Sequence, residues 1–278
     1  RTTRINASSP YWYPSIDPPS FSQHGGQVGS SFRLSMIDPN TVPVTIHYTL
    51  DGADPRLIGG AISSSALVAQ PSGMQNTIIL DAGAPAKAFV PTDGSQGSAW
   101  TLPGFDDSSW QSGSTGVGYD TATTYRSLFD VDVIAMRNKN ASVYCRIPFS
   151  VAGVTEFTNL TLKIKYDDGF VAYLNGEKVA SANASANPAW NATATASHND
   201  SSAQQYVSFD LTPYIDHLRE GANVLAIHGL NVSTSSSDLL IVPRLEASKI
   251  VGGTEIALPH FLTTVKARAR TASGEWSA

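Results

Sequence analysis

The sequence predicts an all-β protein of the sandwich type, on three observations. Short β-prone runs bounded by Gly, Pro, Asn or Asp clusters recur along all 278 residues. Helical periodicity is almost absent, the one candidate being the turn Thr212-Pro213-Tyr214-Ile215-Asp216-His217-Leu218, stopped by Gly221. Hairpin chemistry is explicit as well. Asp167-Asp168-Gly169 joins one strand pair, and Asn175-Gly176 supplies the positive φ angles of a type I′ turn between 172–174 and 177–179. Strands are expected at 31–36, 44–50, 76–80, 142–150, 160–166, 170–174, 207–210, 223–230, 238–245 and 263–269.

Composition narrows the partners. Only 15% of residues are charged, while 34 Ser and 23 Thr fill the surface instead. A net charge of -5 offers no basic field, which argues against nucleic acid. No apolar run reaches the roughly 18 residues of a membrane-spanning helix. The chain begins without Met or a signal peptide, so a processed product is expected. The single cysteine, Cys145, cannot form an internal disulfide. Its strand-like setting, Ser142-Val143-Tyr144-Cys145-Arg146-Ile147, predicts a small buried hydrophobe.

Residues 1–19 form an extended N-terminal segment, with Pro10, Pro14, Pro18 and Pro19 among Tyr11, Trp12 and Tyr13. Residues 181–204 are polar and of low complexity, which predicts a long surface loop, and 233–237 a second one.

Two resemblances refine the fold. Ile46-His47-Tyr48-Thr49-Leu50-Asp51-Gly52-Ala53-Asp54-Pro55-Arg56 resembles the chitobiase/β-hexosaminidase C-terminal type of Ig-like domain, as does Phe21-Ser22-Gln23-His24-Gly25-Gly26 before it. The pattern resumes at Thr263-Thr264-Val265-Lys266-Ala267-Arg268-Ala269 and Gly274-Glu275-Trp276-Ser277-Ala278. The intervening residues are similar to galactose-binding-like jelly rolls. Trp100, Gly104-Phe105-Asp106-Asp107-Ser108-Ser109-Trp110 and Gly116-Val117-Gly118-Tyr119 look like their opening, and Tyr166 to Gly176 like their central hairpin. Gly221-Ala222-Asn223-Val224-Leu225-Ala226 and Ser237-Asp238-Leu239 resemble their later strands. The resemblance implies a jelly roll at 73–253 inserted into an Ig-like sandwich made of 20–72 and 254–278, as in large secreted bacterial surface proteins. Both are non-catalytic scaffolds, so neither brings hydrolysis with it.

The reactive side chains agree. Adjacent carboxylates, Asp106-Asp107 and Asp167-Asp168, face opposite sides of a strand and are not ready-made acid/base pairs; Asp130 and Asp132 form a third, spaced pair. Asp167 and Asp168 are read first as turn residues, with structural calcium the alternative that the jelly-roll resemblance implies. The six histidines show no metal spacing, and no nucleophile elbow, phosphate loop or dinucleotide fingerprint occurs. No enzyme and no cofactor beyond that calcium are expected. His228 is read as a strand residue with a satisfied ring, and Trp110 as a core residue.

Two binding chemistries stand out. An exposed ring stacks on the apolar face of a sugar, and the candidates are Trp190, Trp100, Tyr119 and Tyr125; Trp190 lies in the polar loop at Asn187-Pro188-Ala189-Trp190. Sequons for N-glycosylation begin at Asn6, Asn140, Asn159, Asn183, Asn191, Asn199 and Asn231, seven where random placement of Ser and Thr gives about three. The expectation is a secreted, non-enzymatic extracellular or cell-surface protein with two functional readings. One is a filament subunit that binds copies of itself head-to-tail. In it Thr2-Thr3-Arg4-Ile5-Asn6-Ala7, anchored by Tyr11, Trp12 and Tyr13, is donated as a strand to the edge left open where the chain stops at Ala278. The other is a carbohydrate-binding module of a larger secreted or cell-surface protein.

Overall fold

A computed structural model describes residues 14–259 and 262–278, and the chain divides into two compact units, one of residues up to 75 with 250–278 and one of 76–249. The strand-donation segment, its aromatic anchors and the Asn6 sequon lie outside the described residues. The fold is all-β. Among the described residues helix is confined to one α turn, Asp200–Ala203, and four short 3-10 segments, of which Thr212–His217 is the turn that Pro213 announces.

The larger unit is a sandwich of two six-stranded sheets. One sheet runs, edge to edge, Glu177–Ala182, Gly169–Leu174, Gly221–Leu230, Ser142–Val151, Pro85–Phe89 and Gln111–Ser114. The other runs Val131–Asp132, Val117–Asp120, Asp238–Val251, Phe157–Asp167 and Val207–Asp210, with Gly73–Leu80 also paired to Asp238–Val251. Period-two alternation fills the space between them. Val143, Cys145, Ile147, Leu225 and Ile227 from the first sheet meet Leu160, Leu162, Ile164, Leu239 and Ile241 from the second. Cys145 is fully buried there, and burial pushes its thiol up, so it behaves as a hydrophobe. Asn175 and Gly176 take φ of 51° and 97°, the two left-handed positions that a type I′ turn demands.

Both sheets are also covered on their outer faces. Tyr144 and Arg146, which point away from the core, are as buried as Val143 and Cys145. On the second sheet Leu240 and Val242 pack outward against Tyr125, Phe129 and Ala203. Strands with two buried faces lose the polar half of the alternation, which is why their sequence reads as continuous apolar runs.

In the smaller unit Val44–Thr49 pairs antiparallel with Lys266–Thr271, setting Tyr48 opposite Ala267, and Leu67–Ala69 adds to the other side. Arg33–Leu34 pairs with Ile256–Ala257, and Ser20–Phe21 with Met36–Ile37. Leu34, Met36, Ile46, Tyr48, Ala69 and Ile256 form its core. The Asp-Gly-Ala-Asp-Pro turn is tied to the strand Lys266–Thr271 by charge, since both Asp54 oxygens accept from Arg268, at 2.8 and 2.7 Å. That hydrogen bond holds the Asp54 carboxyl down at about 2.

Burial corrects part of the sequon pattern. A glycan needs a free, exposed side-chain amide, yet Asn140 is 5% exposed and donates from Nδ2 to the Pro91 carbonyl at 2.7 Å. Asn231 is 1% exposed and donates to Tyr119 Oη at 2.9 Å. Asn183 is half-buried and committed to the Asp168 carbonyl at 2.9 Å. Asn159, Asn191 and Asn199 are exposed.

Leu162 sits mid-strand in the core and Ile78 is half exposed, so truncation separates the two environments. Leu162→Ala is expected to cost about 2–5 kcal/mol and Ile78→Ala within about 0.5 kcal/mol, read from urea unfolding of the full chain. Equal losses would contradict the core assignment.

Candidate functional site

The outer face of the first sheet is organised around a buried cation. Arg146 is 3% exposed and cannot remain uncompensated there. Its Nε donates to Asp107 Oδ2 at 2.6 Å, and its Nη1 donates to the carbonyl oxygens of Trp100 and Leu102. Lys87 Nζ reaches the other Asp107 oxygen at 2.7 Å. Burial alone would raise the Asp107 carboxyl, but the hydrogen bonds from Lys87 and Arg146 outweigh it and hold the group below the usual range. The adjacent Asp106 turns away and caps the Ser108 N–H. The two carboxylates therefore do separate work, one clamping a loop and one shaping a turn.

The clamp lays residues 99–107 across the sheet, with Trp100 stacked on Tyr144 at 4.1 Å between centroids and 8° between planes. Ala226 leaves room for this, facing the same side between Arg146 and Tyr173 in the strand register. Tyr173 and His228 meet Trp100 edge-on at 5.8 and 6.2 Å. Trp110 is core as expected, packed with Phe89, Phe105 and Trp100. A second loop supplies the facing wall. Asn140 Nδ2 donates to the carbonyls of Pro91 and Trp190, and Ser142 Oγ donates to Ala192 O at 2.8 Å. Trp190 rests against Gly94, where a Cβ would stand only 3.0 Å from the indole Cδ1.

Between these walls lies a cavity of about 310 Å³, bounded by Trp100, Trp190, Tyr144, Tyr173, His228 and the segments 94–101 and 187–189. Part of its polar lining is unspent. His228 is 2% exposed, with Nε2 2.9 Å from Ser142 Oγ. Since that hydroxyl gives its proton to Ala192, Nε2 must donate, leaving Nδ1 as an acceptor. Burial holds the ring neutral, its pKa lowered to about 4, and raises the Tyr144 hydroxyl to about 12. Among the described residues Nδ1 of His228 and the hydroxyls of Tyr144 and Tyr173 have no protein hydrogen-bond partner. These three atoms open onto the cavity, where a ligand or water can complete them.

Of the four ring candidates, Trp100 and Trp190 come together here. Tyr119 and Tyr125 do not: they are 1% and 0% exposed, and their hydroxyls donate to Ser236 O at 3.0 Å and to Asp167 Oδ2 at 2.5 Å. Neither can stack on a sugar. Tyr144, Tyr173 and His228 escape sequence reasoning as a group, because only the strand register shows that they share a face. The sequence marks the His228 ring as satisfied, and the structure satisfies one of its two nitrogens.

Asp167 occupies a second cluster. One carboxylate oxygen each from Asp167, Asp200 and Asp238 lie within 4.8 Å of one another, and these are the described groups that could hold a metal ion. Asp168 stands outside this set, its oxygens taken by the N–H groups of His198 and Val232. No described cation forms an ion pair with Asp167, which is 2% exposed. Burial, with Asp168 and Asp238 beside it, pushes its carboxyl up to about 8 against the pull of the Tyr125 hydroxyl. Burial, and then the charges of Asp200, Asp120 and Asp168, raise Asp238.

No protein-family model matches the chain, and no curated protein matches it. Solved structures do. The chain is similar to β-glucuronidase 2 of Bacteroides uniformis at 19% identity and a TM-score of 0.39, over 63% of this chain and 18% of that one. It is similar to a β-glucuronidase of an uncultured Clostridium species at 14% identity and a TM-score of 0.37, over 63% and 29%. A β-glycosidase from Bacteroides vulgatus follows at 12% identity and a TM-score of 0.33, over 60% and 20%. The chain thus spans less than a third of the length of each.

Two outcomes follow from these charges. Asp107→Ala strands the buried guanidinium and is expected to cost about 3–5 kcal/mol in chemical unfolding, against about 1 kcal/mol or less for exposed Asp106→Ala. For Asp167 the folded pKa lies above the unfolded one, so its contribution is complete below about pH 4 and is lost as pH rises toward 8. With a chelator present, Tm is expected to fall from pH 5 to pH 8, and Asp167→Asn to flatten that fall. Identical slopes in the two proteins would contradict the assignment.

Proposed function

We propose that this chain is a non-enzymatic carbohydrate-binding module of a secreted or cell-surface protein, with its sugar site in the cavity between Trp100 and Trp190. The observation that carries the reading is a cavity combining aromatic walls with hydrogen-bonding groups that no described protein atom uses. A pyranose has the matching surface, an apolar C–H face for an indole and a rim of hydroxyls for Tyr144, Tyr173 and His228. Trp190 is half-buried and belongs to the loop, so it has ring surface to offer; Trp100 forms the floor. No described lining residue is a carboxylate, whereas glycoside cleavage ordinarily employs two flanking the bond. Exposed sequons at Asn191 and Asn199, close to this loop in sequence, suit an extracellular setting.

The test is a glycan array followed by calorimetry on the strongest ligand. Trp190→Ala is expected to weaken binding at least tenfold, Trp190→Phe to retain part of it, and both to keep the wild-type Tm within a few degrees. Undiminished binding by Trp190→Ala, or hydrolysis of the bound glycan, would overturn the proposal.

A further inference from the structure

We infer that the cavity takes a neutral sugar at the end of a chain, an uncharged hexose rather than a uronic, sialic or sulfated one. This rests on the carbohydrate reading above and deepens it.

Among the described residues no Asp, Glu, Lys or Arg lines the cavity. Its one basic side chain among the described residues, His228, is fixed as a neutral acceptor by the Ser142 hydroxyl, which is itself committed to Ala192. The guanidinium of Arg146, on the same sheet face, is consumed by Asp107 and by the Trp100 and Leu102 carbonyls. An anionic group brought between Trp190 and Tyr144 would lose its water and meet no cation, which is the costly case for a buried charge. A hydroxyl meets the reverse situation. Nδ1 of His228 accepts its proton, and the Tyr144 and Tyr173 hydroxyls can each donate or accept. Sites whose buried polar groups are completed by a substrate hydroxyl discriminate strongly against ligands that leave them unpaired.

Size points to the chain end. About 310 Å³ is the lower limit for ligand pockets, which run from about 300 to 1,000 Å³. Such a space encloses one hexose ring with its linkage. Trp190 seated on Gly94 walls one side, so additional units of a chain would lie outside the cavity and contribute little.

The experiment is a calorimetric and ligand-observed NMR panel at pH 7 on the full chain. It uses methyl glycosides of glucose, galactose and mannose, the uronates corresponding to glucose and galactose, the methyl esters of those uronates, and trisaccharides ending in each neutral sugar. A neutral glycoside is expected to bind at least tenfold more tightly than its uronate, with the ester restoring affinity to within threefold. The matching trisaccharide should gain less than threefold over the single unit. Asn187→Lys, which places a cation on the exposed rim, should narrow the gap between uronate and neutral sugar at least threefold. A gap below tenfold, an ester as weak as its uronate, or an Asn187→Lys variant with an unchanged gap overturns the neutral-sugar inference while leaving carbohydrate binding standing. A trisaccharide gain of threefold or more overturns the chain-end part. Absence of binding by every glycoside, neutral and charged, overturns the carbohydrate reading and this inference with it.

Discussion

The outer face of the first sheet depends on how one buried guanidinium is satisfied. Arg146 stands on a strand flanked by core positions, on the side that would ordinarily face water. Once covered, it needs a carboxylate and several acceptors, and the chain supplies Asp107 and the Trp100 and Leu102 carbonyls from one loop. Satisfying the charge therefore fixes the loop, and fixing the loop sets Trp100 on Tyr144. Phe105, with its ring 5.3 Å from the guanidinium, shields the same charge. Lys87 brings Asp107 a second cation, so the carboxylate is held from two strands.

The cavity is the remainder of that arrangement. The clamped loop covers the sheet from one side and the Asn140-tethered loop from the other, and the space between them is lined by the strand residues Tyr144, Tyr173 and His228. The carboxylate cluster of Asp167, Asp200 and Asp238 is a second feature of this unit, where like charge accumulates around a buried group. Both features sit on outer faces, under loops, where function is least constrained by the core.

Local chemistry was legible in the sequence where it acts locally. Asn175-Gly176 names its own turn, Pro213 opens its short helix, and the alternation around Cys145 foretells a buried thiol. The strand Pro85–Phe89 carries no β-branched residue, and its place depends on pairing with Ser142–Val151 and Gln111–Ser114 rather than on propensity. Burial of Asn140 and Asn231 is invisible for the same reason: a three-residue sequon pattern carries no information about the loops that close over it. Trp190 was recognisable as an indole stranded in a polar loop. Tyr144, Tyr173 and His228 were not, because residues 29 and 55 positions apart become neighbours only through antiparallel register. Tyr119 and Tyr125 mislead in the opposite sense, being aromatic rings in glycine- and threonine-rich surroundings that the sheets nevertheless enclose.

The most direct measurement is an NMR titration following the indole N–H resonances of the tryptophans as a neutral methyl glycoside is added. The Trp190 and Trp100 resonances are expected to move together along one saturable curve, while that of Trp276, in the other unit, stays in place. A curve traced by Trp276, or saturable binding that leaves Trp190 unmoved, would place the sugar elsewhere and contradict this expectation.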